Sequence, residues 1–422
     1  AGRPALIIIL PVSLMKYAGF TCRCSAAENP FIATGDETAP MSKEIGVGVL
    51  GYSIGRAHAH AWRNVAEVYH PLKLVPRLIA ISGRTKDVVD FEAKKYGYEK
   101  VYYDWEKVVR DEDVEIVDNC LPVSLHPEPM ILAAKLGKSL FCEKPLARRA
   151  ADAKRMLDAA EKAKVKHMVG YNYRFMPAIT LARKMIVDGV LGDVLHFKGS
   201  YLTTNSGYDS PDAPMRWQFR SETSGYGALS DLGTHALDLA RYLVGEVSSV
   251  ASAMATYIPD RPETEGSRKK GRVDIDDLTV ATMKFKNGAL GTLDTSWLMP
   301  GRMDYLSFEV YGTKGALRFN LERINELDVF ITDKDPGTSG FRTLNVLTKE
   351  HPYMKQYWPN QGGGFGWDHS FVNEFHHYLV CLSEGTPIAP QGATFLDGYR
   401  NCQIMDAIAE SARSEKWVQV GQ

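Results

Sequence analysis

Three short stretches place proton-handling side chains where the chain is expected to turn. Lys144 sits in Glu143-Lys144-Pro145, at the end of the apolar run "KSLFCEKPL". A lysine at a strand's carboxyl end, held extended by the proline after it, points into a cleft. Its ammonium can bind a substrate hydroxyl or pass a proton. In "GALSDLGTHALDLARYLVG", Asp231 and His235 are four residues apart and share one face if the segment is helical. A carboxylate and an imidazole so placed can orient a hydroxyl and accept its proton. The same spacing suits an N-cap aspartate beside a half-buried histidine. Asp238 and Arg241 lie on adjacent turns and are expected to pair along the helix. Glycines 225, 227 and 233 are expected to let backbone approach a ligand. "YNYRFMP" sets Asn172, Tyr173 and Arg174 on a tight linker, where Tyr173 either bonds a sugar or packs between domains. "MRWQFR", with Trp217, and "HPYMKQYWPNQGGGFGW" combine aromatic rings, glycine and polar tips, a mix that suits carbohydrate faces and also subunit contacts. No set of residues has metal-site spacing, so no metal is expected, and His376-His377 reads as surface or packing.

These side chains need a scaffold, and the pattern upstream supplies one. From Ile45 to about residue 165, short apolar runs alternate with amphipathic helical stretches. That alternation predicts a doubly wound parallel sheet, with ligands beyond the carboxyl ends of its strands. Gly51, Ser82-Gly83-Arg84, Leu121-Pro122 and Glu143-Lys144-Pro145 all fall at such ends. The first turn, "VLGYSIGRAH", departs from the G-x-G-x-x-G spacing of dinucleotide sites: Gly51 and Gly55 are separated by Tyr52, Ser53 and Ile54. Beyond residue 165 longer alternating stretches predict an α/β domain with a large open, mostly antiparallel sheet. Lys286-Asn287-Gly288 and Gly312-Thr313-Lys314-Gly315 are its hairpin turns. Helices over about 371–383 and 399–414 are expected to complete that domain, and Pro259–Gly271 reads as a mobile polar loop. The domains are therefore 1–40, an extension or leader; 41–165, dinucleotide-binding; and 166–422, for substrate and oligomerisation.

Composition narrows the function classes. With 422 residues, 45% hydrophobic and 24% charged, the chain fits an ordinary globular protein of two or three domains. A formal net charge of -1 gives no field favouring nucleic acid or a membrane, so neither is an expected partner. The basic run Arg268-Lys269-Lys270 reads as a solvated loop. Cys120, Cys142, Cys381 and Cys402 sit among apolar residues and read as reduced, while Cys22 and Cys24 are too close for an ordinary disulfide. A reducing, cytoplasmic location follows. The apolar run "ALIIILPVSLM" is too short to span a membrane; if it is a true leader, the location becomes secreted or periplasmic.

Taken in order, G-R-A-H after a strand-glycine turn, E-K-P, Y-N-Y-R and G-A-L-x-D-L-G-x-H resemble the glucose-fructose oxidoreductase / inositol dehydrogenase (Gfo/Idh/MocA) family from Ile45 to the C-terminus. Within it the likeness is to the levoglucosan-dehydrogenase-like members. The resemblance implies a Rossmann domain, a second domain with a large open sheet, a nicotinamide cofactor and a homodimer or homotetramer formed through that sheet. It implies catalysis by Lys144, Asp231 and His235. Substrate would meet these three together with Tyr173 and Trp217. Cofactor would meet Gly51 to Gly55, Ser82, Gly83, Arg84, Leu121, Pro122, His126, Glu143, Lys144, Asn172 and Arg174. In the mechanism it implies, Asp231 orients and charges His235. NAD sites usually carry an acid after the second strand. Here Ser82-Gly83-Arg84 stands there and Arg84 suits a 2′-phosphate, so NADP is placed ahead of NAD. The expected activity is hydride transfer from a sugar, anhydrosugar or polyol. The alternatives are a glycoside hydrolase working through transient oxidation at C3, and a non-catalytic cofactor-binding regulator.

Overall fold

The computed structural model describes residues 42–204, 208–332, 336–357 and 363–421. The expected extension, with Cys22 and Cys24, and part of the aromatic stretch "HPYMKQYWPNQGGGFGW" lie outside these residues.

Strands β1 (Lys43–Leu50), β2 (Leu74–Ser82), β3 (Lys100–Tyr102), β4 (Ile116–Asn119), β5 (Ser139–Glu143) and β6 (His167–Gly170) form one six-stranded sheet in the order β3-β2-β1-β4-β5-β6. Every pairing in it is parallel. Helices α1 (Gly55–Val68), α2 (Lys86–Tyr96), α3 (Trp105–Arg110), α4 (Pro127–Lys135) and α5 (Ala150–Ala163) make the crossovers. Val47, Val49, Ile116, Val117, Leu140 and Phe141 are fully buried, as strands covered on both faces require. Gly97 closes α2 in the left-handed conformation, at φ 77°. The sixth strand lies beyond the expected boundary at residue 165, because the stretch after α5 pairs with β5 before the chain leaves the sheet.

After α6 (Pro177–Val187), β7 (Val194–Leu202), a single turn α7 (Ser221–Ser224) and α8 (Thr234–Leu243), the second domain builds its own sheet. Its further strands are β8 (Val247–Ala255), β11 (Leu278–Phe285), β12 (Leu290–Ser296), β13 (Tyr305–Gly312), β14 (Gly315–Asn320), β15 (Glu326–Ile331), β16 (Arg342–Asn345) and β17 (Val418–Gln419). The order is β16-β15-β14-β13-β7-β12-β11-β8-β17, antiparallel throughout except for the parallel pair β7 and β12. The polar segment expected as a mobile loop is instead a hairpin, β9 (Asp260–Pro262) with β10 (Lys270–Arg272). Arg261 is fully buried within it, its guanidinium bonded to the Ser210 and Tyr208 carbonyls and stacked on Phe219. One buried guanidinium whose two terminal nitrogens donate to backbone oxygens holds a hairpin that hydrophobic alternation does not announce.

The last helices, α9 (Trp367–Glu384) and α10 (Phe395–Ser414), do more than complete the second domain. On α9, Phe375 stacks on Trp62 of α1 at 3.8 Å and His376 on Tyr69 at 3.6 Å. Asp406 and Cys402 of α10 bond the Ala150 amide and the Ala147 carbonyl. The chain thus returns to pack against the dinucleotide-type domain.

Candidate active site

Gly51 ends β1 at φ 89°, and a Cβ there would lie 2.7 Å from the Cys120 carbonyl oxygen. Only glycine lets the turn pass so close to β4. Tyr52 folds back, its ring packed where a Cβ on Gly83 would stand. Ser53 is exposed at the tip, and α1 begins at Gly55 with no side-chain cap and no acidic residue in its first turn. Its N-terminal amides are therefore open to an anion such as a pyrophosphate.

Beside this turn, beyond the carboxyl ends of β4 and β5, a cavity of about 330 Å³ opens between the sheets. Ser53, Ile54, Leu121, Pro122, His126, Glu143, Lys144, Asn172, Tyr173, Trp217, Asp231 and His235 all line it. Of the expected site residues the rest stand elsewhere. Gly51 and Gly55 are buried beneath the turn. Ser82 is buried at the end of β2 and its hydroxyl has no partner. Arg84 follows it, exposed and in no ion pair among the described residues. Arg174 is turned away from the cavity, its guanidinium clamped on Asp238 by bonds of 2.7 and 2.6 Å. It braces the linker, because a fully buried guanidinium needs a fully buried carboxylate. That bond also replaces the pair expected between Asp238 and Arg241, since Arg241 faces Glu246 and Asp397.

Lys144 leaves the end of β5 and its Nζ donates to Asp231 twice, to the carbonyl at 2.8 Å and to Oδ1 at 3.2 Å. Asp231 sits in a π-helical turn, Leu229–Gly233, that runs into α8. Asp276 anchors this turn, accepting the Gly227 amide at 2.7 Å and the Leu229 amide at 2.9 Å. The glycines expected to admit a ligand instead admit protein: a Cβ on Gly227 would meet the Asp276 carbonyl at 1.9 Å, one on Gly225 the Arg148 carbonyl at 2.7 Å, and one on Gly233 Thr295.

His235 lies one turn on, 5% exposed, and its Nδ1 has no partner. Burial first, and then the Lys144 charge, hold its pKa well below 6.5. It is a neutral imidazole with a free ring nitrogen, as a proton acceptor must be. The expected role of Asp231 changes accordingly. Its carboxylate is the partner of Lys144, and it neither bonds His235 nor raises its pKa.

Tyr173 packs its ring 4.6 Å from that of His235 and bonds Tyr201 at 2.8 Å, which donates to Asp304 at 2.7 Å. Asn172 donates to Ser370 at 2.8 Å. Both ring nitrogens of His126 face carbonyls, Leu121 at 2.8 Å and Pro145 at 3.1 Å, so this histidine ties the loops after β4 and β5 together. Sequence reasoning missed Tyr201 and Trp297, whereas Gln218 and Trp367 belong to the two aromatic stretches it singled out for carbohydrate faces. Tyr201 and Trp297 stand at the ends of β7 and β12, and the parallel pairing that brings them together has no local pattern. Gln218 carries a buried side-chain oxygen without a partner, an acceptor suited to a substrate hydroxyl.

Residues 45–171 match the oxidoreductase family with an NAD-binding Rossmann fold, and residues 179–318 match the GFO/IDH/MocA C-terminal domain. The chain is 37% identical over 392 residues to levoglucosan dehydrogenase of Pseudarthrobacter phenanthrenivorans, covering 90% of this chain and 99% of that one. It is 31% identical to myo-inositol 2-dehydrogenase of Thermotoga maritima, over 82% of this chain and 90% of the relative. Among solved structures, levoglucosan dehydrogenase in complex with NADH and levoglucosan superposes with a TM-score of 0.85 at 38% identity, covering 90% of this chain and 100% of the other.

Proposed function

We propose that this chain, which belongs to the Gfo/Idh/MocA family of oxidoreductases, oxidises a secondary hydroxyl of a sugar, anhydrosugar or polyol with a nicotinamide dinucleotide. The observation that carries the reading is the meeting of the Lys144 ammonium with a neutral, unpartnered His235 in one cavity beside an uncapped helix N-terminus. Bound there, the dinucleotide supplies the hydride acceptor. Backbone amides from Ser53 to Gly55, with the Ser53 hydroxyl, hold its pyrophosphate. His235 takes the hydroxyl proton as the C–H hydride leaves, and Lys144 stabilises the negative charge that gathers on the oxygen. Asp231 holds that ammonium in place. Trp217 and Tyr173 wall the substrate side, and the Gln218 oxygen accepts from a second hydroxyl. Both NAD and NADP are accepted in this reading, the latter through Arg84.

Incubation with NAD, NADP and a panel of sugars, polyols and nitrophenyl glycosides tests it, with nicotinamide absorbance and phenol release followed together. Net reduced cofactor supports the dehydrogenase. Phenol release without cofactor accumulation would point to the redox-neutral hydrolase, and silence with tight nucleotide binding to a regulator.

Copies of the chain meet, in the same reading, through the nine-stranded sheet, whose strands expose Leu195, Val280 and Leu290. Sedimentation velocity checks this. Among the described residues no helix is long and apolar enough to cross a membrane. Four buried free cysteines suit a reducing compartment, which supports a cytoplasmic location.

A further inference from the structure

The histidine of the G-R-A-H stretch takes no part in the chemistry above, yet it is fully buried directly beneath it. His58, on the first turn of α1, turns Nδ1 to both oxygens of Asp118 on β4, each at 3.0 Å, and Nε2 to Glu143 Oε1 on β5 at 3.0 Å. Trp62 donates to the same Asp118 carboxylate at 2.8 Å, and Cys120 Sγ lies 3.2 Å from Nδ1. The second oxygen of Glu143 folds back to accept the Lys144 amide at 3.1 Å. Each ring nitrogen faces a carboxylate, so both carry hydrogen and the ring is a cation. Burial opposes that charge, but Asp118 above all raises the imidazole well above 6.5. The rings of Phe141, Phe371 and Phe375 surround it, so water offers no substitute for these bonds. Glu374 of α9 also faces this cluster, and burial and then Glu143 push its carboxyl well above 4.5.

We propose that His58 is a positioning residue for Lys144, acting through Glu143. The chain of bonds runs from Asp118 through the imidazole to Glu143 and on to the backbone amide of Lys144. It pins the end of β5, and with it the root of the Lys144 side chain, to the helix that follows the phosphate-binding turn. Cofactor site and catalytic ammonium are thereby held in one register. A catalytic group displaced by about 1 Å loses on the order of 100-fold in rate. The proposal rests on the reading of Lys144 as a catalytic residue, and Lys144→Met is measured in parallel to keep the two apart.

The two imidazole bonds are separable. His58→Gln keeps a donor near the Nε2 position and so the bond to Glu143, whereas His58→Asn keeps one near Nδ1 and so only the bond to Asp118. Turnover per folded site, counted by NADH binding, is the readout, together with the NADH dissociation constant and Tm. The expected result is turnover at least about tenfold lower in His58→Asn than in His58→Gln, with NADH affinities within about threefold of each other. Both variants lose Tm. Equal turnover in the two, or the reverse order, beside an inactive Lys144→Met overturns the inference. Near-normal turnover in Lys144→Met overturns the reading beneath it. Should neither His58 variant fold, Glu143→Gln carries the test, since its amide must lose either the His58 or the Lys144 bond. Turnover below about a tenth of wild type at nearly unchanged NADH affinity supports the proposal, and a smaller loss refutes it.

Discussion

Replacing Lys144 with methionine keeps the length and apolar stem of the side chain and removes only the ammonium. An ammonium about 3 Å from a developing oxyanion, at an effective dielectric near 20, contributes about 5 kcal/mol. The Asp231 carboxylate 3.2 Å away draws part of that field to itself. Removal of one such preorganised donor typically leaves a loss of about 3–4 kcal/mol, or roughly 100- to 1000-fold in kcat. Folding changes little, because the Asp231 side chain is 40% exposed and rehydrates when its partner goes. The cofactor's pyrophosphate is held by the turn after β1, so NADH affinity stays within about threefold. The measurements are kcat and KM at saturating cofactor, with NADH affinity by fluorescence. A second effect follows. Lys144 is one of two causes holding His235 below 6.5, so the acid limb of whatever rate remains moves toward higher pH. Turnover within about threefold of wild type, or a loss matched by the loss of NADH affinity, refutes the role assigned to Lys144.

Other perturbations follow from the same geometry. Arg84→Ala removes an exposed cation from the end of β2, so kcat/KM for NADP falls about tenfold while that for NAD stays within about twofold; an unchanged ratio places the adenosine ribose elsewhere. Gly51→Ala forces a side chain to φ 89° and within 2.7 Å of the Cys120 carbonyl, lowering stability by about 1–3 kcal/mol and weakening NADH binding. Wild-type Tm at that position would contradict the turn. Burial, as the leading cause, lowers His126, His167, His235, His369, His376 and His377 from 6.5, with His167 and His376 reaching about 4. The unfolded chain then takes up protons near pH 6.5 that the folded chain refuses until lower pH, so stability falls from about pH 6.5 toward pH 4. His58 runs the other way, its contribution present below 6.5 and lost as pH rises through its raised value. A Tm that rises on acidification from pH 6.5 to 5 would contradict the six-histidine balance.

Much of this protein is written locally. Strand–helix alternation from β1 to α5 reports the parallel sheet, because burial on both faces demands continuous apolar runs in the strands and one apolar stripe on each helix. The hairpin turns of the second sheet are equally local, and the ordered set of E-K-P, Y-N-Y-R and D-L-G-x-H marks the family and the stretches that line the cavity. Side-chain pairing is a different matter. Lys144 meets Asp231 across 87 positions, Arg174 meets Asp238 across 64, and His58 meets Glu143 across 85. The i,i+3 and i,i+4 neighbours along a helix are visible in sequence, and they mispaired Asp238 with Arg241 and Asp231 with His235. The return of α9 onto α1 and the parallel pairing of β7 with β12 have no local periodicity either. The physical reason is range. Backbone periods repeat every two or 3.6 residues and impress themselves on neighbouring side chains. A buried charge demands only some opposite charge or polar group at about 3 Å, and which one arrives is decided by packing after distant segments have met.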